Sequence, residues 1–83
     1  MKVQVLYFAW LRERIGQGRE TVETEAHSVA DLIEELRARE ERYALAFSDM
    51  SAVRCAVDQT LVPLEAPLGD AREVAFFPPM TGG

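Results

Sequence analysis

The residues with the clearest chemical potential are at the end of the chain, where two prolines lead towards two glycines. Pro78 and Pro79 fix φ and favour an extended backbone. Gly82 and Gly83 carry no side chains, so nothing widens the chain just before its end. A segment of this shape fits a slot that is too narrow for any residue with a Cβ atom. We therefore expect Gly83 to present its carboxylate, on a thin arm, to the active site of another protein.

A frayed tail that happens to end in glycine is the alternative interpretation, because chain ends are commonly disordered. At a glycine usage of ~7%, two adjacent glycines occur at a given place in roughly one chain in 200. The apolar residues 74–77 and the two prolines come directly before the last four residues, which is unusual for a frayed end. At ~3.3 Å per residue, those four residues reach at most about 13 Å beyond the prolines. The pattern favours a functional arm.

Cys55 and His27 are the other residues that could do chemistry, and each is the single residue of its type. One cysteine excludes an internal disulfide, a four-cysteine zinc site and an iron–sulfur cluster. A nucleophilic Cys55 would need an activating base, but His27 lies at the start of a predicted helix. We expect Cys55 to be a small buried residue, His27 to be exposed, and the chain to hold no metal and no stably bound cofactor.

Composition limits the remaining possibilities. Eighty-three residues form one domain, and the net charge of −5 argues against a nucleic-acid binder and suits a partner with a basic face. We see no signal peptide and no apolar run long enough to span a membrane, so we expect a cytoplasmic protein.

Alternating polar and apolar residues predict five strands. The first and last strands are the most apolar, so we place them side by side, parallel, at the centre of the sheet. Pro63 restricts the fourth strand to an edge. Glu20, Glu23 and Glu25 are expected to make the second strand acidic on its exposed surface. The predicted strands cover residues 2–10, 19–26, 53–57, 60–64 and 72–77.

Three large apolar side chains of the predicted sheet point away from the core. The alternation turns Phe77 outward on the last strand, and Leu6 and Phe8 outward on the first. Two interpretations of Leu6 and Phe8 stay open, a partner surface or a strand face that loops cover.

One main helix begins after Ser28, which is a good N-cap with Asp31 three residues later. An apolar stripe follows at helical spacing, formed by Val29, Leu32, Ile33 and Leu36. A shorter helical piece over residues 42–47 is expected to place Leu45 and Phe47 on the core. The prediction is an α+β domain, a mixed sheet with one main helix packed across it, over residues 1–77, with an extended, flexible tail over 78–83.

This element order, together with the Gly-Gly end, resembles the β-grasp fold of ubiquitin-like proteins. The chain is also similar to the MoaD family, the small sulfur-carrier subunits of molybdopterin synthase. Asp58, where Asn is common, and Met80, where Val is frequent, depart from the family pattern. The similar stretches are Phe8-Ala9-x-x-Arg12-Glu13, residues 43–46, residues 56–62 and the apolar-Pro-Pro-x-x-Gly-Gly run over 74–83.

The resemblance implies that Gly83 carries sulfur as a thiocarboxylate. A carboxylate is an anion at neutral pH and a poor electrophile. A ubiquitin-activating-like adenylyltransferase therefore first consumes ATP to make the acyl-adenylate, and a sulfur donor enzyme then supplies the sulfur. In the family, a large subunit binds the pterin precursor and holds the catalytic pocket, and two carriers serve a dimer of large subunits as a heterotetramer. The sulfur becomes part of the molybdopterin dithiolene.

Partner contacts are also implied by the resemblance. The expected contact residues are Gly82, Thr81, Met80, Pro79, Pro78, Phe77, Leu61 and Arg12. For Phe77, ordinary packing beneath the tail is the alternative. Other functions share the fold and the Gly-Gly end, namely sulfur carriers for thiamine or for tRNA thiolation and ubiquitin-like protein modifiers. A β-grasp interaction module with an inert tail is the alternative from a different class.

Overall fold

The structure is a computed structural model that describes residues 1–79. Within these residues five strands form one sheet in the order β2-β1-β5-β3-β4. β1 and β5 are parallel neighbours, and the other pairs are antiparallel. The predicted mixed sheet, with the first and last strands adjacent and β4 at an edge, is confirmed. The strands are β1 (Lys2–Tyr7), β2 (Arg19–Glu23), β3 (Arg54–Val57), β4 (Thr60–Val62) and β5 (Glu73–Phe77).

Three α-helices lie in the same described part of the chain: α1 (Ala9–Ile15), α2 (Val29–Arg39) and α3 (Glu41–Ala46). The main helix α2 begins as predicted, because the Ser28 hydroxyl accepts a hydrogen bond of 3.1 Å from the backbone N–H of Asp31. A short 3₁₀ turn, Met50–Ala52, precedes β3. No helix among the described residues is long and apolar enough to cross a membrane.

The first strand ends at Tyr7 and not at Trp10 as predicted. Phe8 still donates a backbone hydrogen bond of 3.0 Å to Phe76, but Ala9 has a φ of 54° and turns the chain into α1. Ala9 itself is exposed. The unbroken apolar run hid the turn, because it fits a strand and a helix start equally well.

One further strand boundary and one side-chain orientation differ from the prediction. β2 ends at Glu23, because its partner strand β1 begins at Lys2. Thr24 still exchanges two hydrogen bonds of 2.8 Å with Met1, and its hydroxyl accepts one of 2.9 Å from the backbone N–H of Ala26 in a local turn. Leu45 is 58% exposed, because α3 turns Tyr43 and Ala46 towards the core instead. Phe47 is buried, as expected.

The helices cover one face of the sheet. Inward side chains of β1 and β5 are fully buried, and Phe76 packs edge-to-face against Phe47 with ring centroids 5.1 Å apart. Their strand neighbours on the other face, including Leu6, Ala75 and Phe77, remain partly exposed. We call this second face the open face. Large buried side chains of the core include Val5, Tyr7, Leu11, Ile15, Leu32, Leu36, Tyr43, Phe47, Val74 and Phe76.

Candidate functional site

The tail leaves from an interior strand of the sheet, which has a hydrogen-bonded neighbour on each side. β5 is paired with β1 on one side and with β3 on the other, and the β3 pairing extends to Phe77 opposite Arg54. Pro78 and Pro79 follow and are half-buried. The arm therefore starts from a fixed base. The remaining predicted tail residues, Met80, Thr81, Gly82 and Gly83, lie outside the described residues, and the division into a domain and a tail stays a prediction.

A row of apolar side chains crosses the open face. Leu6 pairs with Ala75, Ala75 with Ala56, and Ala56 with Leu61, so one residue from each of β1, β5, β3 and β4 stands in line. Directly paired residues point to the same face of a sheet. Leu61 is 69% exposed, and because it stands in line with other apolar side chains it belongs to a contiguous apolar patch and is not a singly exposed leucine. We call these four residues the apolar row.

Phe77 lies on the same face as the apolar row, two residues beyond Ala75 towards the tail. Side chains two residues apart on a strand share a face. The structure therefore places Phe77 and Leu61, both predicted partner contacts, on one continuous surface beside the start of the arm. Whether a partner covers this surface stays a prediction.

Arg12 lies at the other end of this surface, on α1. Its side chain is exposed and runs across Gly18 in the turn before β2, where an added Cβ would come within 3.2 Å of the Arg12 Nε atom. Phe8, left open in the sequence analysis, is 47% exposed, and Leu6 belongs to the apolar row. Sequence reasoning did not identify Arg19 as a residue of this surface. Arg19 lies opposite Leu6 in the antiparallel pairing of β1 with β2, and that register is the signal that would have placed it there.

Cys55 does not join this surface. Its side chain is fully buried, and its Sγ atom donates to the carbonyl oxygen of Val62 at 3.4 Å. Burial, and to a smaller extent the nearby Glu65 carboxylate, raises the pKa of the Cys55 thiol. The thiolate is therefore disfavoured, as expected for a structural cysteine. His27 is exposed before α2, also as expected.

Glu20 is not part of an acidic outer surface, contrary to the prediction. It pairs with inward-facing Val5, and its carboxylate accepts hydrogen bonds from the hydroxyls of Tyr7 at 2.8 Å and Tyr43 at 2.6 Å. Arg39 lies 3.7 Å from its other oxygen. Burial first, and then the hydrogen bond to Glu20, raises the pKa of both tyrosines above the ordinary value. The cluster joins β1, β2, α2 and α3.

Comparisons with known proteins agree with the fold. The sequence model of the ThiS family matches residues 5–83. The molybdopterin synthase sulfur carrier subunit of Escherichia coli (strain K12) is 43% identical over 81 residues, which are 98% of this chain and 99% of the relative. The predicted resemblance to these sulfur carriers is confirmed.

Two solved structures are similar over their whole length. The protein described as subunit 1 of molybdopterin converting factor from Pyrococcus furiosus superposes with a TM-score of 0.74 at 34% identity, over 96% of this chain and 99% of that one. A complex of subunits 1 and 2 of the molybdopterin-converting factor of Helicobacter pylori contains a chain with a TM-score of 0.62 at 22% identity, over 100% of both chains, which supports the β-grasp fold alone. Because the ThiS family model matches residues 5–83, nearly the whole chain, the chain belongs to the ThiS family.

Proposed function

We propose that this protein is the sulfur-carrier subunit of a molybdopterin synthase and that Gly83 holds the sulfur as a thiocarboxylate. The observation that carries the proposal is the 43% identity to a sulfur carrier subunit over 98% of the chain. The fixed base of the arm at the end of β5 supports it, because a carrier must present its end group at a defined distance from its docking surface.

The chemistry begins with an unreactive group. The Gly83 carboxylate attacks the α-phosphorus of ATP in the active site of a ubiquitin-activating-like adenylyltransferase, and pyrophosphate leaves. A persulfide of the sulfur donor enzyme then attacks the acyl carbon, and the bond to AMP breaks. Reductive cleavage of the resulting acyl disulfide by a thiol leaves the thiocarboxylate on Gly83. ATP is therefore consumed by the activating partner, and the carrier itself holds no stable cofactor.

The large subunit of the synthase is the proposed acceptor. The Helicobacter pylori relative was solved in a complex of subunits 1 and 2. We propose that this chain likewise docks on its own large subunit, and further that it does so in the cytoplasm and that the assembly is a heterotetramer. The apolar row and Phe77 form the docking surface, Arg12 contributes at its edge, and residues 78–82 thread the arm into the pocket. The protein's role is to bind, orient and deliver, while the catalytic groups belong to the large subunit.

Thiamine or tRNA thiolation, and protein modification, use the same activated end group. No observation on this chain favours them, because the full-length relative at 43% identity is a carrier of molybdopterin synthase. An inert β-grasp module differs in kind, because it would never be loaded.

Intact-mass spectrometry tests the proposal. The full chain is incubated with the adenylyltransferase, ATP and a sulfur source, and the expected result is the mass increase for replacement of one oxygen atom by sulfur. The chain without Gly83 is the matched control, and we expect it to stay unloaded with an unchanged circular dichroism spectrum. An unloaded wild-type chain, under conditions that load the Escherichia coli carrier, would overturn the proposal.

A further inference from the structure

A cleft with a volume of about 440 Å³ opens on the open face, beside the turn that joins α1 to β2. Arg19 stands opposite Leu6 in the β1–β2 register, so the cleft continues the apolar row beyond β1. β1 and β5 are parallel and Tyr7 pairs with Phe76, so the cleft lies near the carboxyl end of β5, where the tail begins. A protein that engages the tail therefore also reaches the cleft. Its lining residues are Leu6, Tyr7, Phe8, Arg12, Gly18 and Arg19.

Two backbone features shape this cleft. Gly18 leaves room for the Arg12 side chain, which would meet an added Cβ at 3.2 Å, so the guanidinium lies against the turn. Ala9 has a φ of 54°, a left-handed conformation that is uncommon for a residue with a Cβ atom. This turn leaves the preceding Phe8 47% exposed. Strained backbone of this kind is concentrated at functional sites.

The charge of the cleft is opposite to that of the whole chain. The sequence has 14 acidic and nine basic residues, yet two arginines and no carboxylate line the cleft. Within residues 1–79, Arg12 and Arg19 form no salt bridge with a carboxylate, and the same is true of Arg14, Arg54 and Arg72. Arginine donors beside apolar side chains match the shape and charge of a carboxylate.

We propose that this cleft receives an aspartate or glutamate side chain of the large subunit that accepts the tail. Arg12 and Arg19 donate hydrogen bonds to that carboxylate, and Leu6 and Phe8 keep water from the pair, which strengthens the attraction. The inference rests on the proposed function, because it needs a large subunit that engages the tail. A basic partner surface suits the net charge of −5, and one acidic side chain against the cleft fixes the register of docking.

Charge reversal at Arg19 tests the cleft against a matched control. We expect Arg19→Glu to raise the dissociation constant for the large subunit about 30-fold or more at low salt, and less at high salt. Arg72→Glu makes the same change of charge on an exposed arginine at the opposite end of β5, and we expect less than about a threefold effect. Arg19→Gln, which adds no repulsion, should fall between them. Calorimetric titration at two salt concentrations measures all three.

A compensating charge change in the large subunit identifies the carboxylate that the cleft binds. Changing the matching carboxylate of the large subunit to lysine should restore the affinity of Arg19→Glu to within about threefold of the original pair. The proposal that the cleft receives a carboxylate would be overturned by equal affinities of Arg19→Glu and Arg72→Glu. It would also be overturned if no carboxylate of the large subunit gave rescue. Loading of the wild-type chain without binding to the large subunit would also overturn it. Binding with normal charge dependence but no loading would overturn the sulfur-carrier function and leave the cleft standing.

Discussion

Phe76 and Phe77 are adjacent on β5 and face opposite sides of the sheet, so truncating each to alanine separates folding from binding. Phe76 is fully buried against Phe47 and Tyr7. Phe76→Ala should cost about 3–5 kcal/mol of unfolding free energy, from lost burial and the cavity that remains. A domain of this size has only about 4–12 kcal/mol in total, so this variant should be barely folded.

Phe77→Ala should behave differently, because Phe77 is half-buried on the open face. Full burial of a phenylalanine contributes about 1.5–3 kcal/mol, so losing half of it should cost about 1 kcal/mol. That loss lowers the melting temperature by about 4–8 °C. In the proposed complex the large subunit covers the rest of the ring, so we expect the affinity for that subunit to fall about 30-fold or more, as for an anchor residue.

Urea unfolding followed by circular dichroism measures the first effect, and calorimetric titration with the large subunit measures the second. Both variants keep the β5 backbone, so the pairing of Phe77 with Arg54 is not directly altered. The reasoning fails if Phe77→Ala destabilises the free domain as much as Phe76→Ala. It also fails if Phe77→Ala binds the large subunit as tightly as the wild-type chain.

Two further predictions concern the buried polar groups. The pKa of Tyr7 and of Tyr43 is raised by burial and by Glu20, so the unfolded chain loses these protons first; the melting temperature should fall above pH ~10, and less steeply in Tyr7→Phe. A thermal melt series from pH 8 to 11 checks this, and identical slopes would contradict it. Cys55 should react with a thiol reagent at least about 100-fold more slowly in the native chain than in urea, because it is buried with a raised pKa. Equal rates would show that Cys55 is accessible.

The centre of the sheet was predictable because its physical signal is strong. β1 and β5 hold the most apolar segments, and only a central position buries such strands. The α2 start at Ser28 was equally clear, because the N-cap hydroxyl and the apolar stripe agree. Phe77 and Leu61 fell on one face as expected, since alternation fixes side-chain direction once the strand register is known.

The features that sequence reasoning missed depend on contacts between distant segments. Glu20 looks like a surface residue until Tyr7 and Tyr43 are known to donate to its carboxylate. The turn at Ala9 has a positive φ but contains no glycine, the residue that usually signals such a turn in a sequence. Arg19 became part of a candidate binding site only through its register with Leu6. Each of these needed the tertiary structure, because local propensity contains no such information.

The parallel pairing of β1 with β5 has a mechanical consequence. A pull on the tail acts along β5 and loads its hydrogen bonds to β1 and β3 together in shear, so that they are not peeled apart one at a time. Such a geometry resists rupture. The tail can therefore be withdrawn from a tight pocket without unravelling the sheet, and the same molecule is ready for another round of charging and discharge.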